Sequence, residues 1–303
     1  MTRLHASDRK VSIVGACSLF GYSRQAYYKS FRQRETEILR EHILLEMVRQ
    51  IRSQMPRLGG RKLHHMLSER LSADLQISRD SLFSLLARSG LLLRRRRWKP
   101  HTTDSRHPYK KYPNLIVGFI PTKAGQLYVS DITYVEVYKG VFYYLSIVTD
   151  AYSRKIVGWW LSEDLKVDGP LRALKMSLKE CLYTAGLIHH SDRGSQYCSG
   201  AYIKLLKKNG ISISMTQSGD PLDNAIAERV NGILKTEWLN QIELGNIHNA
   251  RQQVTKVIEL YNNQRPHMSL NMLTPYKAHQ RRGVIERKWK SYCRSKPTGV
   301  QTI

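Results

Sequence analysis

The 303-residue chain carries 49 Lys and Arg against 24 Asp and Glu, a formal net charge of +25, well beyond what solubility requires. That excess asks for a polyanionic partner. Nucleic acid fits best, because Lys and Arg bind phosphates by displacing counterions, whereas a membrane-surface protein would show a basic amphipathic anchor.

Membrane and secretory classes are set aside on three further grounds. The longest apolar runs, such as Val141 to Val148, fall far short of the roughly 20 residues of a bilayer span. MTRLHASDRK lacks the apolar core of a signal peptide, and the cysteines at 17, 181, 198 and 293 form no CxxC pair that would suggest a disulfide framework or zinc knuckle. The expectation is a cytoplasmic protein with reduced thiols and no membrane contact.

The length exceeds one ordinary domain, so a catalytic domain with smaller modules is expected. Residues 1–121 hold 24 Lys and Arg and 9 Asp and Glu, a net +15, which sets the basic first two-fifths apart. Residues 1–34 read as helix, turn, helix: VSIVGACSLF, then GY, then SRQAYYKSF, with Gly21 at the turn and Ser23 placed to cap the second helix. A DNA-binding helix-turn-helix has this pattern, and so does an ordinary helical hairpin.

Residues 35–92 form a second helical, DNA-binding module. Glu35 to Met55 carries Ile38, Leu44, Leu45, Val48 and Ile51 as an apolar stripe, Pro56 and the Gly59-Gly60 pair stop it, and KLHHMLSERL resumes as helix. Ser78 then caps a further helix, RDSLFSLLARSG, that ends at Gly90. In the basic linker, residues 93–121, Arg94, Arg95, Arg96, Arg97 and Lys99 stand with Trp98, and Lys110 and Lys111 with Tyr109 and Tyr112. The mixture suits a nucleic-acid strand whose bases stack on the aromatics. A solvated basic linker has the same composition.

Residues 122–280 change character. QLYVSDITYVEVY, VFYYLSIVTDAY and KIVGWWLSE are runs of Val, Ile, Tyr and Trp broken at Lys139-Gly140 and Ser153-Arg154, which predicts an antiparallel meander. PLRALKMSLKECLYTA is an amphipathic helix, GLIHHSDRG a strand ending in polar residues, AYIKLLKKNG a helix, ISISMTQSG a strand and AIAERVNGILKTEW a helix. The order β-β-β-α-β-α-β-α predicts a mixed sheet with helices on both faces and functional residues at strand ends. Residues 281–303 are a basic tail.

Three acids can meet in that topology. Asp131 lies inside the first strand, where a charge costs free energy unless something satisfies it. Asp192 stands where the fourth strand meets polar DRGSQ, and Glu228 lies on the last helix, opposite the apolar stripe of Ile226, Val230 and Ile233 and on one face with Asn231 and Lys235. Singly, each has an ordinary structural reading: salt-bridge partner, turn cap, solvated helix residue. Together, carboxylates converging on a sheet end are how a protein holds hard cations such as magnesium. Two such ions serve in-line displacement at phosphorus.

The surrounding strings are more specific than the acids. Asp192 and Glu228 are separated by 35 residues, and YVSDITYV, HSDRGSQY, DNAIAERVNGILKTEW and YNNQRPHMSLNMLTP resemble the successive blocks of the DDE transposases of the insertion-sequence-three family, OrfB type. PRLGGRKLHHML is similar to the family's P-x-x-G-x-R segment. Ser130 stands where the family often has Thr, and Tyr128 near a common Trp. Neither is an acid of the triad. No His-His-Cys-Cys zinc module precedes the core, which separates the chain from retroviral integrases.

The resemblance implies an α/β fold, a ribonuclease-H-like mixed sheet with flanking helices behind all-α helix-turn-helix modules. It implies a polynucleotidyl transferase that binds the terminal inverted repeats of an element and joins them to target DNA. Asp131, Asp192 and Glu228 would be both catalytic and metal-holding, with two Mg2+ ions that Mn2+ can replace. DNA contacts are expected from Arg61, Lys62, Arg94 to Arg97, Trp98 and Lys235, with His190, Asn224 and Asn231 supporting the site. A homo-oligomeric synaptic complex, a bacterial, nucleoid-associated setting and production as a fusion to an upstream reading frame are also implied. A hydrolytic nuclease, and a DNA-binding regulator with a silent core, are the competing readings.

Overall fold

The computed structural model describes residues 12–93, 108–138, 140–181, 184–217 and 224–286. It divides into two units, one of residues 1–53 and 67–92, the other of residues 54–66 and 93–303.

In the first unit, α1 (Ile13–Leu19) starts at Ser12, whose Oγ accepts from Gly15 N at 3.0 Å. It ends at Gly21, which takes φ of 69°, a backbone that glycine adopts without penalty. α2 (Arg24–Gln54) begins under Ser23, whose Oγ accepts from Ala26 N at 3.0 Å. The Ser23 cap and the Gly21 turn are where the sequence puts them.

α2 runs unbroken through residue 34, where the sequence divides two helical modules. Phe31-Arg-Gln-Arg-Glu35 holds no Gly or Pro, so nothing interrupts the hydrogen-bond ladder. The apolar stripe is also shorter than expected: Leu44, Val48 and Ile51 are buried, whereas Ile38 is 61% exposed. α4 (Arg79–Arg88), capped by Ser78, adds buried Leu82, Leu85 and Leu86, and Arg88 reaches Glu41 on α2 at 2.5 Å.

The second unit holds a five-stranded sheet in the order β3-β2-β1-β4-β5. β1 (Leu127–Tyr138), β2 (Val141–Asp150) and β3 (Ile156–Ser162) form the antiparallel meander. β4 (Ile188–Ser191) and β5 (Ser212–Met215) run parallel to β1. Between them come α5 (Asp168–Glu180), a single turn α6 (Ser195–Cys198) and α7 (Gly200–Lys208), followed by α8 (Ala225–Glu237), α9 (Ile247–Asn263) and α10 (Pro275–His279). α3 (Gly60–Ser68) precedes the sheet in sequence.

Period-2 alternation sends Tyr128 and Val148 into one core, with Ala173 and Leu174 of α5 and Tyr202 of α7. Leu127 and Val129 enter another with Ala227 of α8. Helices therefore cover both faces. α5 lies so close that a Cβ on Gly158 would stand 2.1 Å from Ala173 O, and only glycine fits there.

The outer edge of β3 is closed by α9: Asn262 both accepts from Ile156 N at 2.9 Å and donates to Ile156 O at 3.0 Å. Arg251 Nε donates to Leu161 O at 3.0 Å. Those side chains take the place of a sixth strand at an edge that would otherwise pair with another chain. The element order and sheet are the ribonuclease-H-like arrangement expected from the sequence, behind an all-α region.

Candidate active site

The site is assembled by register. Ser130 of β1 pairs with Ser191 of β4 in the last parallel step, so Asp131 and Asp192 are the next residues on neighbouring strands, which lie about 4.8 Å apart. α8 then crosses β1 and is bonded to it at three points. Asn224, just before the helix, donates to Ser130 O at 3.2 Å. Asn231 Nδ2 donates to Asp131 Oδ2 at 2.8 Å, and Lys235 Nζ to Thr133 Oγ1 at 3.2 Å. Glu228 sits in the first turn of α8, its N–H donating to Asn224 O at 3.1 Å, and its residue is exposed. Glu228, Asn231 and Lys235 share the face that the seven-residue spacing predicts.

Electrostatics register the convergence. Burial, and then the charge of Asp192, push the Asp131 carboxyl up to about 7, with Glu228 adding a smaller push. Hydrogen bonds from Asn231 and from Ile132 N, the latter at 2.9 Å, pull the other way. Lys235 is lowered by burial, against which the charge of Asp131 acts.

A divalent cation suits this donor set. Three carboxylates offer hard oxygen, and their mutual repulsion is relieved by positive charge. Asn224 Oδ1 and Asn231 Oδ1 are buried beside them without a hydrogen-bond partner among the described residues. Among those residues, no three His, Cys, Asp or Glu side chains stand close enough to hold a metal ion as they are. Glu228 acts on Asp131 through its charge and not as a closed third ligand.

The supporting residues divide. Asn224 and Asn231 touch β1 at and beside Asp131, as above. His190 is fully buried, and its Nδ1 bonds Ser214 Oγ of β5 at 2.8 Å, so it ties two strands together, while Asp192 Oδ1 accepts from Gly194 N at 3.0 Å. Sequence reasoning missed His189, whose Nε2 lies 2.8 Å from Ser130 Oγ and 2.9 Å from Tyr202 OH. That arrangement anchors the residue preceding Asp131 to α7, and the small Ser at 130 leaves room for it.

Of the residues expected to meet DNA, Arg61 is exposed and Lys235 is placed as described. Lys62 points inward: its Nζ lies 3.0 Å from Glu237 Oε1, with the two side chains 14% and 12% exposed. Glu237 also takes a two-pronged contact from Arg265, Nε at 2.8 Å and Nη2 at 2.6 Å, and Arg265 is 1% exposed. Burial, and then the charge of Arg265, lower Lys62 to about 8. Lys62 turns inward because α8 presents a carboxylate that must be neutralised where it is buried. Arg94 to Arg97 and Trp98 lie outside the described residues.

Residues 121–221 match one integrase core domain family and residues 209–275 a second, also described as an integrase core domain. The chain is 34% identical over 267 residues, 86% of its length and 95% of the relative's, to the insertion element IS600 uncharacterized 31 kDa protein of Shigella sonnei. It is 33% identical over 207 residues, 68% of each chain, to the transposase for insertion sequence element IS629 of the same organism.

Among solved structures, it resembles the HTLV-2 integrase catalytic core domain in complex with magnesium, at 18% identity and a TM-score of 0.41, over 52% of this chain and 97% of that one. A simian T-cell lymphotropic virus intasome, in complex with PP2A regulatory subunit B56 gamma, gives 15% identity and a TM-score of 0.46 over 79% and 80%.

Proposed function

The chain belongs to the insertion-element transposases that carry an integrase core domain, and from that premise we propose that it cleaves the 3′ ends of its element and joins them to target DNA at Asp131, Asp192 and Glu228. It is a polynucleotidyl transferase acting in DNA transposition. In the cleavage step, water forms a new P–O bond as the bond to the 3′ oxygen breaks, and that oxygen leaves as a hydroxyl. In the transfer step, the same hydroxyl attacks a target phosphodiester and displaces another 3′ oxygen. Each step exchanges one phosphodiester or water oxygen for another, so neither ATP nor a covalent enzyme intermediate is needed.

The observation that carries the reading is the convergence at Asp131: β1, the end of β4 and the first turn of α8 bring the charges of Asp192 and Glu228 to bear on Asp131. The family uses a divalent cation. Two Mg2+ ions, with Mn2+ able to replace them, would be held by Asp131, Asp192 and Glu228, and when bound they supply Lewis acidity to the attacking and leaving oxygens. Asn231 fixes the Asp131 carboxylate through Oδ2, and Lys235 presents a cation to the DNA backbone near the transferred end. Because two element ends must be held at once, the working form is a multimer on terminal inverted repeats. Production as an upstream-frame fusion belongs to the same proposal.

Glu228→Gln should reduce both cleavage and strand transfer of labelled element ends to background while end binding persists. Full activity in that variant overturns the assignment. Release of cut ends without joined product by the unaltered chain would reduce the reading to hydrolysis.

A further inference from the structure

The β1–β2 hairpin outruns the sheet. β4 stops pairing with β1 at Ser130, and β3 stops pairing with β2 at Tyr144, so among the described residues the ribbon beyond that point has no third strand. An isolated two-stranded ribbon is marginally stable in water. This one is supported on one face, where Val135 and Val137 are buried and α8 and the short helix Leu239–Gln241 lie against β1.

The other face carries Tyr134, Glu136, Phe142 and Tyr144, which register and alternation bring together. Solvent-facing positions of an antiparallel ribbon are ordinarily polar. Here three of the four are aromatic, and Phe142 is 45% exposed. The Tyr134 ring centre lies 6.3 Å from that of Phe142 and 6.4 Å from that of Tyr144, both edge to face. Glu136, the one carboxylate of the four, is turned to the hairpin tip, where its Oε1 accepts from Gly140 N at 3.3 Å.

Cations stand at both ends of this row. Lys235 Nζ is 5.2 Å from the centre of the Tyr134 ring. On β3 the same face reaches Trp160 beyond Ser146 and Ser162, against which Gly169 of α5 lies. The guanidinium groups of Arg172 and Arg251 stand 4.9 and 4.5 Å from the centre of the Trp160 ring.

We propose that this row binds an unpaired DNA strand, with bases stacked on Phe142, Tyr134 and Tyr144 and phosphates met by Lys235, Arg172 and Arg251. The inference rests on the reading of the chain as an enzyme of DNA ends. Aromatic rings spaced between cations suit a single strand, whose bases are free to stack, and not a duplex, whose bases are already stacked on each other. Position supports it as well: Tyr134 is three residues from Asp131, about 10 Å along a strand, and Lys235 lies two turns from Glu228 on α8. The acids lie on the other, α8-facing side of β1, since Asp131 and Tyr134 are an odd number of residues apart, and Lys235, which reaches both Thr133 and the Tyr134 ring, stands at the edge of β1 round which an unpaired strand would pass to them.

The test uses the full chain without divalent cation and compares a blunt duplex with the same duplex bearing a short single-stranded extension that contains 2-aminopurine. The extended duplex is expected to bind about tenfold tighter and its fluorescence to be quenched. Phe142→Leu and Tyr144→Leu should lose the preference and the quenching while keeping blunt-duplex affinity, which also reports intact folding, and Phe142→Trp should retain both. No preference in the unaltered chain, or preference retained by the leucine variants, overturns the proposal. So does a fall in sedimenting mass on leucine substitution, which would make the face a contact between copies. Chemistry plays no part in this binding assay, so an active Glu228→Gln variant would remove the assignment of the acids and leave the strand site standing.

Discussion

At Asp131, burial and the charge of Asp192 raise the carboxyl from the ordinary 3.8 to about 7. Between those two values the folded chain holds a proton that the unfolded chain has lost, so metal-free stability falls as pH rises through the window. Asp131→Asn removes the penalty. In EDTA at pH 8 that variant should melt several degrees above the unaltered chain, with the gap closing toward pH 4. Equal melting temperatures at every pH would show that the carboxyl is not under this strain. Cation binding must displace the same proton, so magnesium affinity should weaken about tenfold per unit below pH 7. Asn231 opposes the rise through its bond to Oδ2, and Asn231→Ala should cost about 10- to 100-fold in magnesium affinity, read by isothermal titration. An unchanged affinity would make the contact incidental.

Among the elements, α8 is the one on which both packing and the proposed chemistry depend. Its first turn carries Glu228, its middle holds Asp131 through Asn231, and its last residue, Glu237, is gripped by Arg265 and Lys62. Burial works to raise Glu237, and the hydrogen bonds and charge of Arg265, with Lys62, outweigh it and lower it. Its stabilisation is therefore present above the unfolded value of 4.5 and is lost as pH falls through the lower folded one. Glu237→Gln leaves two buried cations uncompensated and should cost about 3–5 kcal/mol in urea unfolding at pH 7. A loss within experimental error would show the network to be solvated.

The strands and α8 were legible in the sequence because runs of Val, Ile and Tyr and a 3.6-residue stripe are local signals. The ion-pair network was not. Lys62 and Glu237 are 175 residues apart, and a Lys beside Arg61 in a basic segment looks like any other phosphate contact. Asn262 is equally silent, since only the placement of α9 turns an ordinary amide into the cap of an edge strand. The exposure of Ile38 escaped for the converse reason: a helical stripe records which residues could be buried, and packing decides how far along α2 that burial extends.

For the whole molecule, the excess charge and the acids proposed for the chemistry are carried by different parts. Residues 1–121 hold +15 of the total +25, whereas the three acids lie between 131 and 228. The sequence showed that separation and singled out the acids proposed to be catalytic. The open position of Glu228 it could not show, because one helix turn's placement over β1 depends on three hydrogen bonds made at a distance. The separation predicts that binding and catalysis respond to different variables. If binding rests on phosphate contacts, affinity of the full chain for duplex DNA should fall steeply between 50 and 200 mM salt, by roughly a thousandfold or more for six to ten such contacts. Glu228→Gln should leave the slope of log affinity against log salt unchanged, because it removes no cation from the DNA-facing set. A flat salt response would place recognition in base contacts or shape and not in the basic residues. A slope altered by Glu228→Gln would mean that the three acids and the phosphate contacts are not separate systems.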